Sequence, residues 1–351
     1  MSRLTAEISS VVLVGEDDPK IIDQLSEAVM YMSDEFSSEM NSVFRLPDWL
    51  PLPNKRRKRN SIKFYHDFFD QLIHNRRTGA NRREDFLQYL IDQPQPAGTG
   101  PNFVRDQLLT ILIAAYHASS MALVWIFHLL DTHPDIEQRL IDELAQCSAP
   151  AREVPEQILG CEYLRMVIAE SLRLYPPAWS LFARRSKREV HMRGCQIQAG
   201  GWFYISPFVT HRSERFFPEP LKFDPERFSK KRIHEIPEYA YFPFGLGGRS
   251  CIGSRLALDQ LQLITAFVIG RFLLRSRERD KEPQLVAKLS LRPKGNCLMQ
   301  VQVSPLSAWT DRTLPATELV SSQKTMAHEI RLGIPVDRCP AFGHTESQRP
   351  F

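Results

Sequence analysis

The chain has 351 residues, 43% of them hydrophobic, and a formal net charge of +4. Such a length suits one large domain or roughly two smaller ones, with an apolar share ordinary for a globular core. So mild a charge gives no reason to expect a nucleic-acid partner, and six scattered cysteines without a Cys-x-x-Cys pair speak for a reducing compartment and against a disulfide scaffold or a zinc site.

At the N-terminus, the apolar stretch 8–14 is too short for a signal peptide and follows Glu7. Residues 1 to about 45 predict helix, with Ile21, Leu25, Val29 and Met32 spaced three and four apart. A Pro-rich break at 46–53 precedes the basic run KRRKR at 55–59. Such a run can serve nuclear import or an anionic membrane. The plainer reading is a solvated helix start. A helix over 62–73 and a shorter one over 85–91 follow, then a Pro/Gly loop at 93–101. The one long uncharged run, Gln107 to Leu130, has the length of a membrane span. Tyr116, His117, Ser119 and Ser120 at its middle are costly in a bilayer, so a buried core helix over 103–130 is expected and no transmembrane segment. An amphipathic, exposed helix begins at His133-Pro134, and another spans 155–174 until Pro176-Pro177 stops it. Strand-like pieces with Gly turns fill 190–205, and 218–241 reads as irregular. A helix to about Arg275 and a terminal hairpin of 289–292 with 297–303 complete a mainly α chain with a small β portion (α+β).

The most informative stretch is 241–253, YFPFGLGGRSCIG, leading into a helix at Ser254. Gly245, Gly247 and Gly248 let the backbone bend so that N–H groups turn toward one point. A Cys251 thiolate there would also feel the positive end of the following helix. Arg249 could hold an anion beside it, Phe244 supplies a flat apolar wall, and Gly253 permits a close approach to something planar. The bland alternative is a surface turn with a buried cysteine.

This loop resembles the cysteine-ligand loop of the cytochrome P450 family, the haem-thiolate monooxygenases. The family pattern Phe-x-x-Gly-x-Arg-x-Cys-x-Gly is met at Phe244, Gly247, Arg249, Cys251 and Gly253. The resemblance implies haem b, with Cys251 as the ligand to its iron. Two further motifs occur in the family's order. Glu170-Ser-Leu-Arg173 runs on to Pro176-Pro177, and Phe223-Asp-Pro-Glu-Arg227-Phe228 follows. By resemblance, Glu170, Arg173 and Arg227 form a buried charge network that props the cysteine loop; on spacing alone, the 170/173 pair would be an ordinary surface bridge. Arg184 falls where the family places a haem-propionate arginine, with Arg185 as the alternative, and Arg249 would hold a propionate too.

The long helix departs from the family. Where members carry an acid and an alcohol for proton delivery, this chain has His117 and Ala118, with Ser119 a poorly placed substitute. His117 can relay protons or can be a hydrogen-bonded interior histidine, and the sequence leaves both open. Ile111, Ala114, Ala115 and Ala118 on the helix, with Ala178 and Leu181 after the double proline, are expected to face a lipophilic substrate. The family's early sheet, several helices and a Trp/Arg-bearing helix have no counterpart. The chain therefore reads as an N-terminally shortened member, a partial haem domain over 1–305 with a tail of unknown structure over 306–351. As such it is expected to bind haem weakly on its own. The implied function is monooxygenation of a lipophilic small molecule, a biosynthetic intermediate being one candidate. A separate reductase would supply electrons, since the chain carries no nucleotide-binding fingerprint. The expected location is intracellular, cytoplasmic or at a membrane surface. The rivals are a haem-thiolate enzyme that rearranges or couples its substrate without inserting oxygen, and a truncated non-catalytic relative.

Overall fold

The computed structural model describes residues 1–42, 46–79, 82–147, 154–192, 194–277, 283–295, 297–304 and 306. Arg193 in the Gly turn and, apart from Leu306, the expected tail lie outside the described residues.

The predicted N-terminal helix is two helices, α1 (Ser2–Val14) and α2 (Pro19–Asn41). Gly15 ends α1 in the left-handed region at φ 67°, and the Asp18 side chain caps α2 by accepting from the Lys20 N–H. α3 (Pro53–Arg77) starts nine residues earlier than expected, at the Pro-rich break, and so takes in the basic run. That run is a helix start with Arg56, Arg57 and Arg59 exposed, as expected, but not all of it is solvated. Lys55 is buried against Glu39 (2.5 Å) and Asp48 (3.1 Å), Lys58 bonds Glu39, and Arg57 bonds Glu27. The acids of α2 that neutralise it lie 16 to 30 residues away in sequence, beyond any local pattern. α4 (Phe86–Asp92) is capped by Asp85, which also pairs with buried Arg76.

α5 (Phe103–Thr132) is the axis of the fold. Its first half, up to Tyr116, joins α1–α4 in one apolar core around Leu25, Phe69 and Leu87. Its second half, from Ala122, joins α6 (Pro134–Ala145), α8 (Glu162–Leu174) and α10 (Ser254–Arg271) in another. The helix is long and apolar enough to cross a bilayer, and 56% of its most apolar window is buried inside the protein, as a core helix requires. α6 is amphipathic as expected but not exposed throughout, since Ile136, Leu140 and Leu144 are buried.

The helix expected over 155–174 is broken into α7 (Val154–Gly160) and α8. The cause is again non-local: the Glu143 carboxylate of α6 accepts from the Tyr163 and Leu164 N–H groups at 2.8 and 2.9 Å, capping a new helix start. The described strands pair two by two and antiparallel: β1 (Arg184–Arg185) with β4 (Trp202–Phe203), and β2 (Val190–Met192) with β3 (Cys195–Ile197). α10 stops at Arg271, and the next five residues form β5 (Phe272–Ser276). The expected terminal hairpin is therefore corrected. β6 (Leu285–Ala287) pairs with β7 (Leu291–Pro293), whereas β8 (Met299–Val303) pairs with β5. Ser276 fixes that register by donating its N–H to Asp131 of α5 at 2.9 Å. A short helix, α9 (Pro207–Thr210), leads into an irregular stretch as expected.

Candidate functional site

The three charges expected to be buried are buried: Glu170 and Arg173 are 0% exposed and Arg227 is 4% exposed. One turn of α8 separates Glu170 from Arg173, which grips it with two bonds of 2.6 and 2.8 Å. Arg227 adds a third at 3.2 Å, and the Asp224 N–H a fourth at 3.0 Å. Burial pushes the Glu170 carboxyl upward, and the two guanidiniums pull it back. The remaining guanidinium donors go to backbone carbonyls: Arg173 to His211 and Pro220 at 2.7 Å, Arg227 to Glu219 at 2.8 Å. The network thus ties α8 to the whole irregular stretch that precedes the cysteine loop.

One link escaped the sequence reading. His211, fully buried, accepts at Nε2 from the Phe242 N–H at 2.9 Å, and its ring packs against Phe217, Tyr241 and Phe242. Its carbonyl takes Arg173, so a single residue connects the charge network to the root of the cysteine loop. Nothing local marks it; it sits in an irregular stretch with no periodicity. Burial, and then the Arg173 charge, lowers its pKa from 6.5 to about 3. An unfolded histidine takes up a proton near 6.5 and this one does not. The neutral ring's contribution is therefore complete above that pH and is lost as pH falls toward 3, by at most about 1.4 kcal/mol per unit. Denaturant midpoints should therefore drop between pH 7 and pH 5, and His211→Gln should flatten that slope. Equal slopes for the two proteins would remove His211 from this role.

The loop itself turns at Gly245 (φ 74°) and Gly247 (φ 70°), conformations that a side chain would strain. The N–H groups of Cys251 and Ser250 bond the Phe244 and Gly247 carbonyls, at 2.8 and 2.9 Å. These two donors are thus spent within the loop rather than on the sulfur. Cys251 is exposed, and three residues on, α10 begins without a side-chain cap. That leaves its positive end near the thiol. Phe244 is half-buried against the core of α10. Open space surrounds the positions where side chains would start at Gly247, Gly248 and Gly253.

Arg184 and Arg249, 65 residues apart, line one cavity of about 320 Å³. Its apolar wall includes Leu181, Phe242, Leu246 and Ile205. Arg185 instead bonds the Gly200 carbonyl and stacks over Trp202. The donor set fits a haem: a thiol for iron, two guanidiniums for two carboxylates, an apolar wall, and a glycine surface open to a flat group.

On α5, Ala114 and Ala118 are exposed, one turn apart, where neither core covers the helix; Ile111 and Ala115 are partly covered. Ala178 is exposed, and Leu181 lies on the cavity. His117 is buried, and its Nδ1 meets Ser290 Oγ at 2.8 Å, which ties α5 to the turn before β7. Burial, and then Arg292, hold its pKa below 6.5. Ser119 is buried too.

A family model described as Cytochrome P450 matches residues 1–299. Among curated relatives, cyclooctat-9-en-7-ol 5-monooxygenase of Streptomyces melanosporofaciens is 33% identical, over 74% of this chain and 57% of its own. Pentalenene oxygenase of Streptomyces avermitilis is 30% identical, over 70% and 56%. Lithocholate 6-beta-hydroxylase of Mesocricetus auratus is 32% identical, over 69% and 50%. The chain thus spans about half the length of the curated relatives it matches. A solved structure described as the heme domain of cytochrome P450DA aligns with a TM-score of 0.76 and 21% identity, over 87% of this chain and 67% of that one.

Proposed function

The chain belongs to the cytochrome P450 family, and from that membership we propose that it is a haem-thiolate monooxygenase acting on a lipophilic small molecule, with electrons from a separate reductase. The observation that carries this reading is the joint placement of Cys251 on an open glycine loop and of Arg184 and Arg249 on the adjoining cavity. Cys251 would hold the iron. The uncapped start of α10 follows it in the chain by three residues. Arg184 and Arg249 would each pair with a carboxylate of the group. Phe244, Gly247 and Gly253 would present a flat surface to it. When bound, the haem supplies the dioxygen activation that no side chain provides. The residues Ile111, Ala114, Ala115 and Ala118 offer a small, apolar surface to a substrate and Leu181 another, which supports an apolar substrate. That two relatives are named for oxidising cyclooctat-9-en-7-ol and pentalenene favours a secondary-metabolite intermediate.

Arg184→Ala and Arg249→Ala should each weaken haemin binding about tenfold, as the loss of one charge-assisted hydrogen bond does. Lys187→Ala, exposed and three residues from Arg184 in the chain, should leave it unchanged. Equal affinities for all three would take the propionates elsewhere.

A second reading, rearrangement or coupling without oxygen insertion, is favoured by one observation. Ala118 offers no hydrogen bond, and the imidazole of His117 is engaged by Ser290. Turnover under labelled dioxygen decides between them. Label in the product is the result expected for a monooxygenase, and an unlabelled product would establish the second reading.

A further inference from the structure

Two buried thiols lie outside the site and take no part in the proposed chemistry. Cys147 follows the end of α6 and Cys161 sits at the break before α8. They are 7% and 8% exposed, inside the apolar core that also holds Leu144, Ile158 and Leu164. Their Sγ atoms are 3.5 Å apart. A disulfide bond measures about 2.05 Å, so an approach of about 1.5 Å would join them, within the range of a modest side-chain rotation. Cys161 Sγ also lies 3.4 Å from the Gln157 carbonyl. The neighbouring Glu143 carboxylate is engaged by the Tyr163 and Leu164 N–H groups and does not separate the two sulfurs.

We infer that Cys147 and Cys161 form a redox-convertible dithiol, closed to an intramolecular disulfide by hydrogen peroxide. The Cys147 sulfur attacks one peroxide oxygen and the O–O bond breaks, giving a sulfenic acid and one water. The Cys161 sulfur then attacks the Cys147 sulfur; the S–O bond breaks, and the oxygen leaves as a second water with the Cys161 proton. Two thiols lose two electrons and two protons, and one peroxide takes them. Contact with Cys161 lowers the pKa of Cys147 and raises that of Cys161, which makes Cys147 the first nucleophile. Burial admits a small oxidant and shuts out bulky thiols such as glutathione, and among the described cysteines Cys161 is the one whose sulfur lies against Cys147. The product would pin the end of α6 to the start of α8, the helix that carries Glu170 and Arg173.

The test uses the full, native chain. Treat it with hydrogen peroxide, alkylate with iodoacetamide in denaturant, digest without reductant, and map by mass spectrometry. The expected result is a peptide joining Cys147 to Cys161, an intact mass lower by about 2 Da before alkylation, and a raised melting midpoint that dithiothreitol reverses. Cys161→Ala should instead leave Cys147 as a sulfenic acid that dimedone traps. The inference is overturned if both cysteines are recovered alkylated. It is equally overturned if both end as sulfinic acids, or if either pairs with Cys195, Cys251, Cys297 or Cys339.

Discussion

Glu170→Ala should destabilise the protein by about 3–5 kcal/mol, the cost of stranding buried charge when one partner of a buried pair is removed. The carboxylate accepts four bonds, three of them from Arg173 and Arg227, and both guanidiniums are almost fully out of solvent. Without it, two positive charges remain in the interior with carbonyl oxygens as their partners. Against a total stability of about 5–15 kcal/mol, that loss is large. The variant should be poorly soluble or unfold at much lower denaturant, whereas Glu170→Gln, which keeps the shape and some acceptors, should lose less. A loss below about 1 kcal/mol for Glu170→Ala would mean that the pair behaves as an exposed bridge.

Cys251→Ser is expected to do the opposite: a large functional effect with little structural one. The side chain is exposed, and its loop is fixed by backbone bonds at Cys251 and Ser250 that serine preserves. The denaturation midpoint of the haem-free protein should therefore stay the same. A serine hydroxyl does not ionise at neutral pH and is no substitute for a thiolate. Haem retained through gel filtration should fall sharply, and product formation should fall below detection. Unchanged haem retention and turnover would place the ligand elsewhere.

The cysteine loop and the Glu170–Arg173 spacing were legible in the sequence because each is local, while the burial of that pair was legible only through the family's motifs. The first lies within ten residues and the second within one helical turn. Arg227 and Arg184 became legible through family patterns, since neither spacing nor composition marks them. What stayed hidden depends on partners distant in sequence. His211 acquires its role by packing between Phe217 and Phe242. The break at Cys161 is made by the carboxylate of Glu143. β8 pairs across 23 or more residues with β5 rather than with the nearer β7, because a short strand records which face is buried and not which neighbour it meets. Within the basic run only the burial of Lys55 was hidden, because Glu39, which binds it, lies on α2. The alanines of α5 were read as substrate-facing from their register in the family's long helix, and the substrate as lipophilic from their type. The structure adds that the two cores flanking the helix leave Ala114 and Ala118 uncovered.

The central claim is that Cys251 binds haem iron as a thiolate, and the absorbance of the reduced, carbon-monoxide-bound protein tests it most directly. The chain reconstituted with haemin, reduced and exposed to carbon monoxide, should show the strongly red-shifted Soret band of thiolate ligation, absent from Cys251→Ser. A band at the position of imidazole-ligated haem, or a red-shifted band that survives in Cys251→Ser, would contradict the assignment and the proposed function with it.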